Sequence, residues 1–238
     1  MKIMITGSSG RLGRELKNVF PSAIAPTHKK LDITSYKEVY DFINAVRPDK
    51  IIHAAALTSI RECEKNKEKA WNINVEGTKN LVKATKSIDP KIKFIYISTA
   101  CVFSGEEGTY TESDLPNPKN YYAVTKLVGE FIIRELEDWL IIRTNFVPKE
   151  PWPYPGAFVD RFGTYLFADD VANAIKEVIE ADLSEIVHIT GDKKMSMFEL
   201  AKKVSPDIKP MTLKEYTGPP LTVDMSLDTI KWKKYKIT

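Results

Sequence analysis

The sequence has few of the residues that build metal, disulfide or membrane structure. It contains two cysteines, Cys63 and Cys101, and three histidines among 238 residues. The cysteines share no metal-ligand spacing, so we expect free thiols in a reducing cytoplasm and no metal site. No apolar run approaches the ~20 residues of a membrane span. The first residues predict a strand and not a signal peptide.

An excess of charge of one sign is also absent. The 35 basic and 32 acidic residues leave a net charge of +3, and the basic residues are scattered. This pattern excludes the dense basic surface of a nucleic-acid-binding protein. The length is sufficient for one large domain, or for one domain with a small appendage.

What the sequence does contain is a regular alternation of strand-like and helix-like segments. The alternation predicts an α/β fold, a Rossmann-like doubly wound parallel sheet with helices on both faces. A long helix is predicted over about residues 65–87. The predicted strands lie at residues 2–6, 22–26, 50–54, 93–98, 139–143 and about 186–189.

The regularity ends after residue 147. Four prolines within residues 148–156 favour a rigid extended loop over a helix. We predict a dinucleotide-binding domain over residues 1–147, to which a segment near 165–183 returns. Residues 148–164 and 184–238 are predicted to form a small, trimmed substrate-binding region.

Three glycines, Gly7, Gly10 and Gly13, separate the first strand from the first helix. Glycine permits a tight turn and close approach to a pyrophosphate, and a helix N-terminus offers N–H groups to the phosphates. The motif predicts a dinucleotide cradle; the alternative is a turn without a ligand. An acidic residue about 20 positions on commonly binds the ribose. Asp32 fits by count but lies beyond the second strand, so we expect it near the adenine.

The turn after the second predicted strand bears on the choice of cofactor. Thr27, His28, Lys29 and Lys30 supply a hydroxyl and positive charge but no carboxylate. Such a turn accommodates a 2′-phosphate better than a bare ribose, which favours NADP over NAD. The alternative is that the two lysines belong to a solvated turn.

A tyrosine and a lysine follow on one predicted helix face. Tyr122 is the only tyrosine with a lysine, Lys126, four residues later. A nearby ammonium lowers the pKa of a phenol, which can then exchange a proton with a carbonyl or alcohol. Thr99 or Ser98, at the end of a neighbouring strand, would bond the same substrate oxygen. The alternative is an incidental surface pair.

Further segments match a known family: Asp32-Ile33, residues 53–56, residues 74–78 and residues 98–103. With the glycine and tyrosine–lysine motifs, they make the chain resemble the extended short-chain dehydrogenase/reductase family. The resemblance is strong over residues 1–147 and faint beyond residue 175. It implies that Tyr122 donates a proton, that Thr99 positions the substrate oxygen, and that Lys126 binds the ribose and tunes Tyr122. The cofactor-binding residues that it implies are Gly7, Gly10, Arg11, Leu12, Gly13, Thr27, His28, Asp32, Ile33, Ala54, Ala55, Ala56, Asn74, Tyr122 and Lys126.

The function implied by the resemblance is NAD(P)H-dependent reduction of the 4-keto group of a nucleotide-linked deoxysugar. We expect a cytoplasmic enzyme, and a homodimer is one assembly that it could form. Two alternatives remain: a nucleotide-sugar epimerase with tightly bound NAD, and a non-catalytic NADP-binding regulatory subunit. Ala100 and Cys101 stand where the family's dehydratases carry acids, which disfavours elimination.

The predicted substrate region departs from the family in two places. Relatives carry a substrate-covering helix after the position of Val147, where this chain has the proline-rich loop. Leu221-Thr222 stands where relatives have Arg-Pro, so an arginine that could clamp a diphosphate is missing. His53 and His188 lie in apolar runs and are expected in the core.

Overall fold

The computed structural model describes residues 1–238. The strands are β1 Ile3–Thr6, β2 Lys50–His53, β3 Lys93–Ile97, β4 Trp139–Thr144, β5 Phe146–Val147, β6 Gly156–Phe158, β7 Phe162–Gly163, β8 Leu166–Phe167, β9 Glu185–Ile189, β10 Met195–Ser196, β11 Lys209–Met211 and β12 Asp224–Met225. The helices are α1 Arg11–Val19, α2 Tyr36–Val46, α3 Ile60–Lys65, α4 Lys67–Trp71, α5 Gly77–Ile88, α6 Tyr121–Ile133, α7 Ala168–Glu180 and α8 Met197–Val204.

Five parallel strands form the central sheet in the order β1-β2-β3-β4-β9. The strand predicted at residues 22–26 is reduced to one bridge, in which Ile24 pairs with Met4 through hydrogen bonds to Ile3 and Ile5. A turn at residues 21–22 precedes this bridge. Pro26, two residues after the bridge, has no N–H to extend the pairing.

The chain reverses its direction of winding beside β1. It pairs at Ile24 on one side of β1 and then returns as β2 on the other side. In open α/β sheets such a switch point leaves a crevice outside the carboxyl ends of the strands, where ligands bind. The glycine motif begins at this crevice, directly after β1.

Side chains of the sheet alternate between two helix layers, as the pleat of a strand requires. Ile3 and Ile5 belong to a core cluster with α1 and α7, whereas Met4 belongs to the cluster that contains residues of α2, α5 and α6. Helices therefore cover both faces, and the prediction of a doubly wound parallel sheet is confirmed.

Two predicted boundaries need correction. β9 pairs in parallel with β4 and buries Val187 and Ile189 in the main core, so the main sheet extends into the predicted small region of residues 184–238. The helix predicted over residues 65–87 is divided into α4, one π turn at Asn72–Glu76 and α5. Such π turns often occur at functional sites, because the wider turn changes which side chains face a neighbour.

A third core cluster joins the carboxyl end of β3 to the C-terminal part of the chain. Phe103 and Tyr110 stack with their ring centroids 4.4 Å apart, and Met225 and Leu227 pack in the same cluster. No helix interrupts residues 148–155, as the prolines predicted. No helix has the length and apolar character needed to cross a membrane.

Candidate active site

The three glycines of the first loop have different structural tasks. Gly7 has φ +73°, and a Cβ there would lie 2.5 Å from the Ala55 nitrogen. A Cβ at Gly13 would overlap the Gly7 carbonyl. A Cβ at Gly10 would meet only the Gly7 oxygen, at 3.2 Å, and otherwise open space. Gly7 and Gly13 therefore shape the turn, and Gly10 leaves room in front of α1.

A cavity of about 290 Å³ lies beside this loop, at the switch point of the sheet. Four separate segments of the chain meet there, because the carboxyl ends of β1 and β2 are adjacent. Its lining residues are Thr6, Gly7, Ser9, Gly10, Pro26, His28, Leu31, Asp32, Ile33, Thr34, Ala54, Ala55, Ala56, Leu57 and Ile73.

Several of the residues predicted to bind cofactor do not line this cavity. Arg11 and Thr27 are exposed beside it. The side chain of Leu12 packs in the main core, and Gly13 lies against Gly7. The free N–H groups at the start of α1 remain suited to an anion, because no side chain caps this helix at Gly10.

Asn74 lies in the π turn, where both atoms of its side-chain amide are already bonded. Its Nδ2 donates to the Leu57 carbonyl over 3.0 Å and to Thr125 Oγ1 over 2.9 Å, and its Oδ1 accepts from the Leu57 N–H over 2.7 Å. Asn74 therefore ties the cavity wall at Leu57 to α6. These bonds make Asn74 a positioning residue for the cavity wall, and its predicted contact with the cofactor stays a prediction.

The predicted adenosine end of the cavity carries His28 and Asp32. Asp32 Oδ1 accepts hydrogen bonds from the Thr34 N–H and Oγ1 over 2.9 and 2.8 Å. The backbone hydrogen bond from Thr34 is the main reason that the pKa of Asp32 is lowered, and His28 lowers it further. Lys29 and Lys30 are exposed and do not line the cavity.

Thr99 and Tyr122 meet at the carboxyl end of β3. Thr99 caps a short 3₁₀ turn, where its Oγ1 accepts from the Cys101 N–H over 3.1 Å and keeps its own hydrogen free to donate. Asn120 Oδ1 caps α6 through the Ala123 N–H, which places Tyr122 in the first turn of that helix. Burial raises the pKa of Tyr122, the Cys101 thiol adds to this rise, and the Thr99 side chain opposes it.

Lys126 is buried one helical turn after Tyr122. It is 3% exposed, and its ammonium lies 3.9 Å from the ring centroid of Tyr96. Burial lowers the pKa of Lys126 to about 7, and the charge of Glu130 opposes this lowering. The predicted lowering of the Tyr122 pKa by Lys126 is absent in this structure, because burial disfavours the phenolate of Tyr122 and also the ammonium of Lys126.

Ser98, the other candidate hydroxyl, points away from Tyr122. It is buried, and its Oγ donates to Glu130 Oε1 over 2.5 Å. Consecutive residues at a strand end face opposite sides, so only one of the two hydroxyls can face the site. The structure therefore places Thr99 beside Tyr122, whereas the Ser98 hydroxyl is bonded to Glu130.

The two histidines are core residues, as predicted. His53 contacts Thr6 Oγ1 at 2.7 Å and Thr78 Oγ1 at 3.0 Å, and burial lowers its pKa to about 3. His188 is fully buried, and its Nδ1 lies 2.9 Å from the Asp228 carbonyl oxygen. A neutral His53 adds no charge beside Lys126.

The expected substrate side contains two arrangements that sequence reasoning missed. Glu150 of the proline-rich loop forms an ion pair with Arg14 of α1 over 2.9 Å, which ties this loop beside the glycine motif. Arg161 is buried, and its Nε donates to the Thr222 carbonyl over 2.9 Å. Neither contact has a signal in local spacing, because each joins residues more than 60 positions apart.

A sequence profile described as the RmlD substrate binding domain matches residues 1–161. The chain belongs to this family. The family match covers the glycine motif, the cavity walls and the Thr99–Tyr122–Lys126 group, and it ends before the C-terminal strands. The family prediction made from the motifs is thereby confirmed.

Individual relatives support the same family. The chain is 37% identical over 153 residues to the spore coat polysaccharide biosynthesis protein SpsK of Bacillus subtilis, covering 61% of this chain and about half (53%) of that relative. It is 28% identical over 227 residues to a dTDP-4-dehydrorhamnose reductase of Aggregatibacter actinomycetemcomitans, covering 84% of this chain and 76% of the reductase.

Two solved structures share nearly the whole fold. One is a hypothetical dTDP-4-dehydrorhamnose reductase from Sulfolobus tokodaii, 35% identical, with a TM-score of 0.85 over 96% of this chain and 92% of the other. The second is a Bacillus anthracis dTDP-4-dehydrorhamnose reductase in complex with NADP, 26% identical, with a TM-score of 0.87 over 95% and 90%.

The chain is also similar to a protein that is described as an enzyme subunit and not as a reductase. The methionine adenosyltransferase 2 subunit beta of Rattus norvegicus is 27% identical over 239 residues, covering 84% of this chain and 70% of that subunit.

Proposed function

We propose that the chain is a NAD(P)H-dependent oxidoreductase that reduces the 4-keto group of a nucleotide-linked deoxysugar. The observation that carries this proposal is the meeting of Thr99 and Tyr122 at the end of β3, with Lys126 one turn behind. The similarity to dTDP-4-dehydrorhamnose reductases supports the nucleotide-sugar substrate.

The lining of the cavity at the switch point suits the adenosine and pyrophosphate part of a dinucleotide. Gly10 has open space where a side chain would lie, and the N–H groups at the start of α1 have no side-chain cap. Residues 54–56 would line the cofactor, and Asp32 would lie near the adenine. When bound, the nicotinamide supplies the hydride that this chain has no group to supply.

The remaining chemistry belongs to the protein. Tyr122 Oη would donate its proton to the substrate oxygen, and the free hydrogen of Thr99 would bond the same oxygen and hold it in place. Positive charge on Lys126 would stabilise the phenolate that remains on Tyr122. The burial that raises the Tyr122 pKa keeps the phenol protonated, as a proton donor requires.

We assign NADP as the preferred cofactor. Three observations support this choice. His28 lines the cavity, Lys29 and Lys30 follow it in an exposed turn, and no acidic residue lies within residues 27–30. The complex of the B. anthracis reductase with NADP agrees with it.

The second candidate is a cofactor-binding regulatory subunit without turnover. It is supported by the loop at residues 148–155 in place of a substrate-covering helix, by Leu221 in place of arginine, and by the similarity to the methionine adenosyltransferase subunit. The third candidate is an epimerase, which would hold NAD tightly and regenerate it in every cycle, with no net oxidation or reduction of the cofactor.

One assay separates the three candidates. NADPH oxidation is followed spectrophotometrically with dTDP-4-keto-6-deoxy sugars and with the same keto sugars lacking the nucleotide. The reductase consumes NADPH only with the nucleotide-linked sugar. Sugar conversion without net oxidation indicates an epimerase, and NADPH binding without any turnover indicates the regulatory subunit.

A further inference from the structure

A buried charged network lies directly behind the Tyr122–Lys126 face of α6. Glu130, which is fully buried, accepts hydrogen bonds from Arg143 Nε over 3.0 Å and from Arg143 NH2 over 2.7 Å. Its Oε1 also accepts from Ser98 Oγ over 2.5 Å. One carboxylate thus joins α6 to the carboxyl end of β3 and to β4.

The network determines where α6 sits relative to Thr99. Ser98 precedes Thr99 directly, and Glu130 is one helical turn after Lys126 and two turns after Tyr122. A bidentate arginine–carboxylate pair forms two parallel hydrogen bonds, so it fixes the relative position of its partners. A buried pair needs this geometry, because neither partner can bond to water instead. The same three side chains therefore hold the helix and the strand end on which the proposed proton donor and the Thr99 hydroxyl are carried.

The network also places a carboxylate one helical turn after Lys126, on the same face of α6. The groups that act on this ammonium are Glu130 from α6, the ring of Tyr96 from β3, and His53 from β2. His53 is neutral at physiological pH because its pKa is lowered to about 3. Glu130 is therefore the anionic group among them, with Arg143 on its far side.

We propose that Glu130 is a positioning residue for Lys126, which ties α6 to the strand ends and keeps the buried ammonium protonated near neutral pH. The proposal rests on the proposed role of Lys126 in binding the cofactor. Glu130 itself would touch neither substrate nor cofactor. It would act by holding Lys126 charged and by fixing the position of Thr99 relative to α6.

The test compares the pH dependence of NADPH binding in the parent and in Glu130→Gln, measured by NADPH fluorescence between pH 6 and 9. The amide retains a hydrogen-bonding side chain but loses the charge. Removal of one facing opposite charge shifts a pKa by about one unit or more. The pH at which affinity falls is expected to move down by about one unit, with near-parental affinity restored at pH 6.

Three further variants separate a change of charge from a loss of fold. Glu130→Met with Arg143→Met removes both buried charges without leaving an unpaired one, and it should still shift the pH profile downward. Glu112→Gln alters another buried carboxylate, bonded to Thr229 and the His188 N–H, and should leave the profile unchanged. Ser98→Ala keeps the charge of Glu130 and removes only its bond to the end of β3, so the pH at which affinity falls should stay at the parental value even if the affinity itself decreases.

A measurement without cofactor completes the test. Thermal unfolding of the parent and of Glu130→Gln is followed from pH 6 to 10, and the pH at which stability begins to rise, as buried Lys126 loses its charge, should be lower in the variant. A parental pH profile in the folded double variant would overturn the proposal. If instead Lys126→Met binds NADPH as the parent does, the proposed function of Lys126 has failed, and this result is distinguishable from failure at Glu130.

Discussion

Ser98 Oγ donates to Glu130 Oε1 over 2.5 Å, so the hydroxyl next to Thr99 is bonded below the site and not within it. From the sequence alone, Ser98 could serve as a substitute if Thr99 lost its hydroxyl. In the structure, Ser98 could take over from Thr99 only by breaking its bond to the buried network of Glu130 and Arg143.

Thr99→Val is therefore expected to reduce turnover strongly, by about 10-fold or more, because one positioned donor to the substrate oxygen is lost. The same change removes the acceptor for the Cys101 N–H. The measurement is kcat for NADPH oxidation with the keto-sugar substrate. Thr99→Ser, which keeps the hydroxyl, serves as the control and should retain most activity. Equal rates for the valine variant and the parent would show that another group positions the oxygen.

Gly10→Val should abolish cofactor binding while the fold persists. The new Cβ meets only the Gly7 oxygen at 3.2 Å, and the side chain extends into the space that the pyrophosphate would occupy. Gly13→Val is the contrasting variant, because its Cβ overlaps the Gly7 carbonyl and should destabilise the fold itself. Calorimetric titration and thermal unfolding distinguish these effects, and parental NADPH affinity in Gly10→Val would contradict the cradle.

The choice between the two nicotinamide cofactors is tested at the basic turn. Lys29→Glu with Lys30→Glu should weaken NADP binding by about 10-fold and leave NAD nearly unchanged, because a like charge then faces the 2′-phosphate. The pair is exposed, so its replacement should not alter the fold. Unchanged affinity for both cofactors would show that the two lysines belong only to a solvated turn.

The buried ammonium of Lys126 makes stability depend on pH. Its folded pKa is lowered to about 7, against an unfolded value of about 10.4. Below pH 7 both states are charged, and the cost of burying the charge is fully present. Between these two values the unfolded state binds more protons, so stability rises with pH. Lys126→Met should therefore raise the free energy of unfolding at pH 6, by about 2 kcal/mol or more, and much less at pH 10. Denaturant titrations at the two pH values measure the difference, and equal effects at both would contradict a lowered Lys126 pKa.

The main features of the site follow from the sequence because parallel strands bring their carboxyl ends to one edge of a sheet. Gly7, Gly10 and residues 54–56 follow neighbouring strands, and they line one cavity. The strand–helix alternation likewise predicts the doubly wound fold, since each strand has apolar side chains for both helix layers.

The features that the sequence did not predict depend on contacts between distant residues. Local pattern shows that Ser98 and Thr99 face opposite sides, but the partner Glu130, 32 positions away, decides which one is buried. β9 looks like any short apolar strand, and only its pairing with β4 assigns it to the main sheet. Asn74 matches a family motif, but its bonds to Leu57 and Thr125, which position the cavity wall, have no signal in the sequence.

The most direct test of the account is the rate of NADPH oxidation by Tyr122→Phe with a dTDP-linked 4-keto-6-deoxy sugar. This substitution keeps the ring and removes the proton that Tyr122 is proposed to donate, and a single positioned acid contributes about 10²–10⁴-fold. We predict a fall in kcat of that order, with NADPH affinity close to that of the parent. A Tyr122→Phe protein that reduces the sugar at the parental rate would contradict Tyr122 as the proton donor, and with it the proposed mechanism.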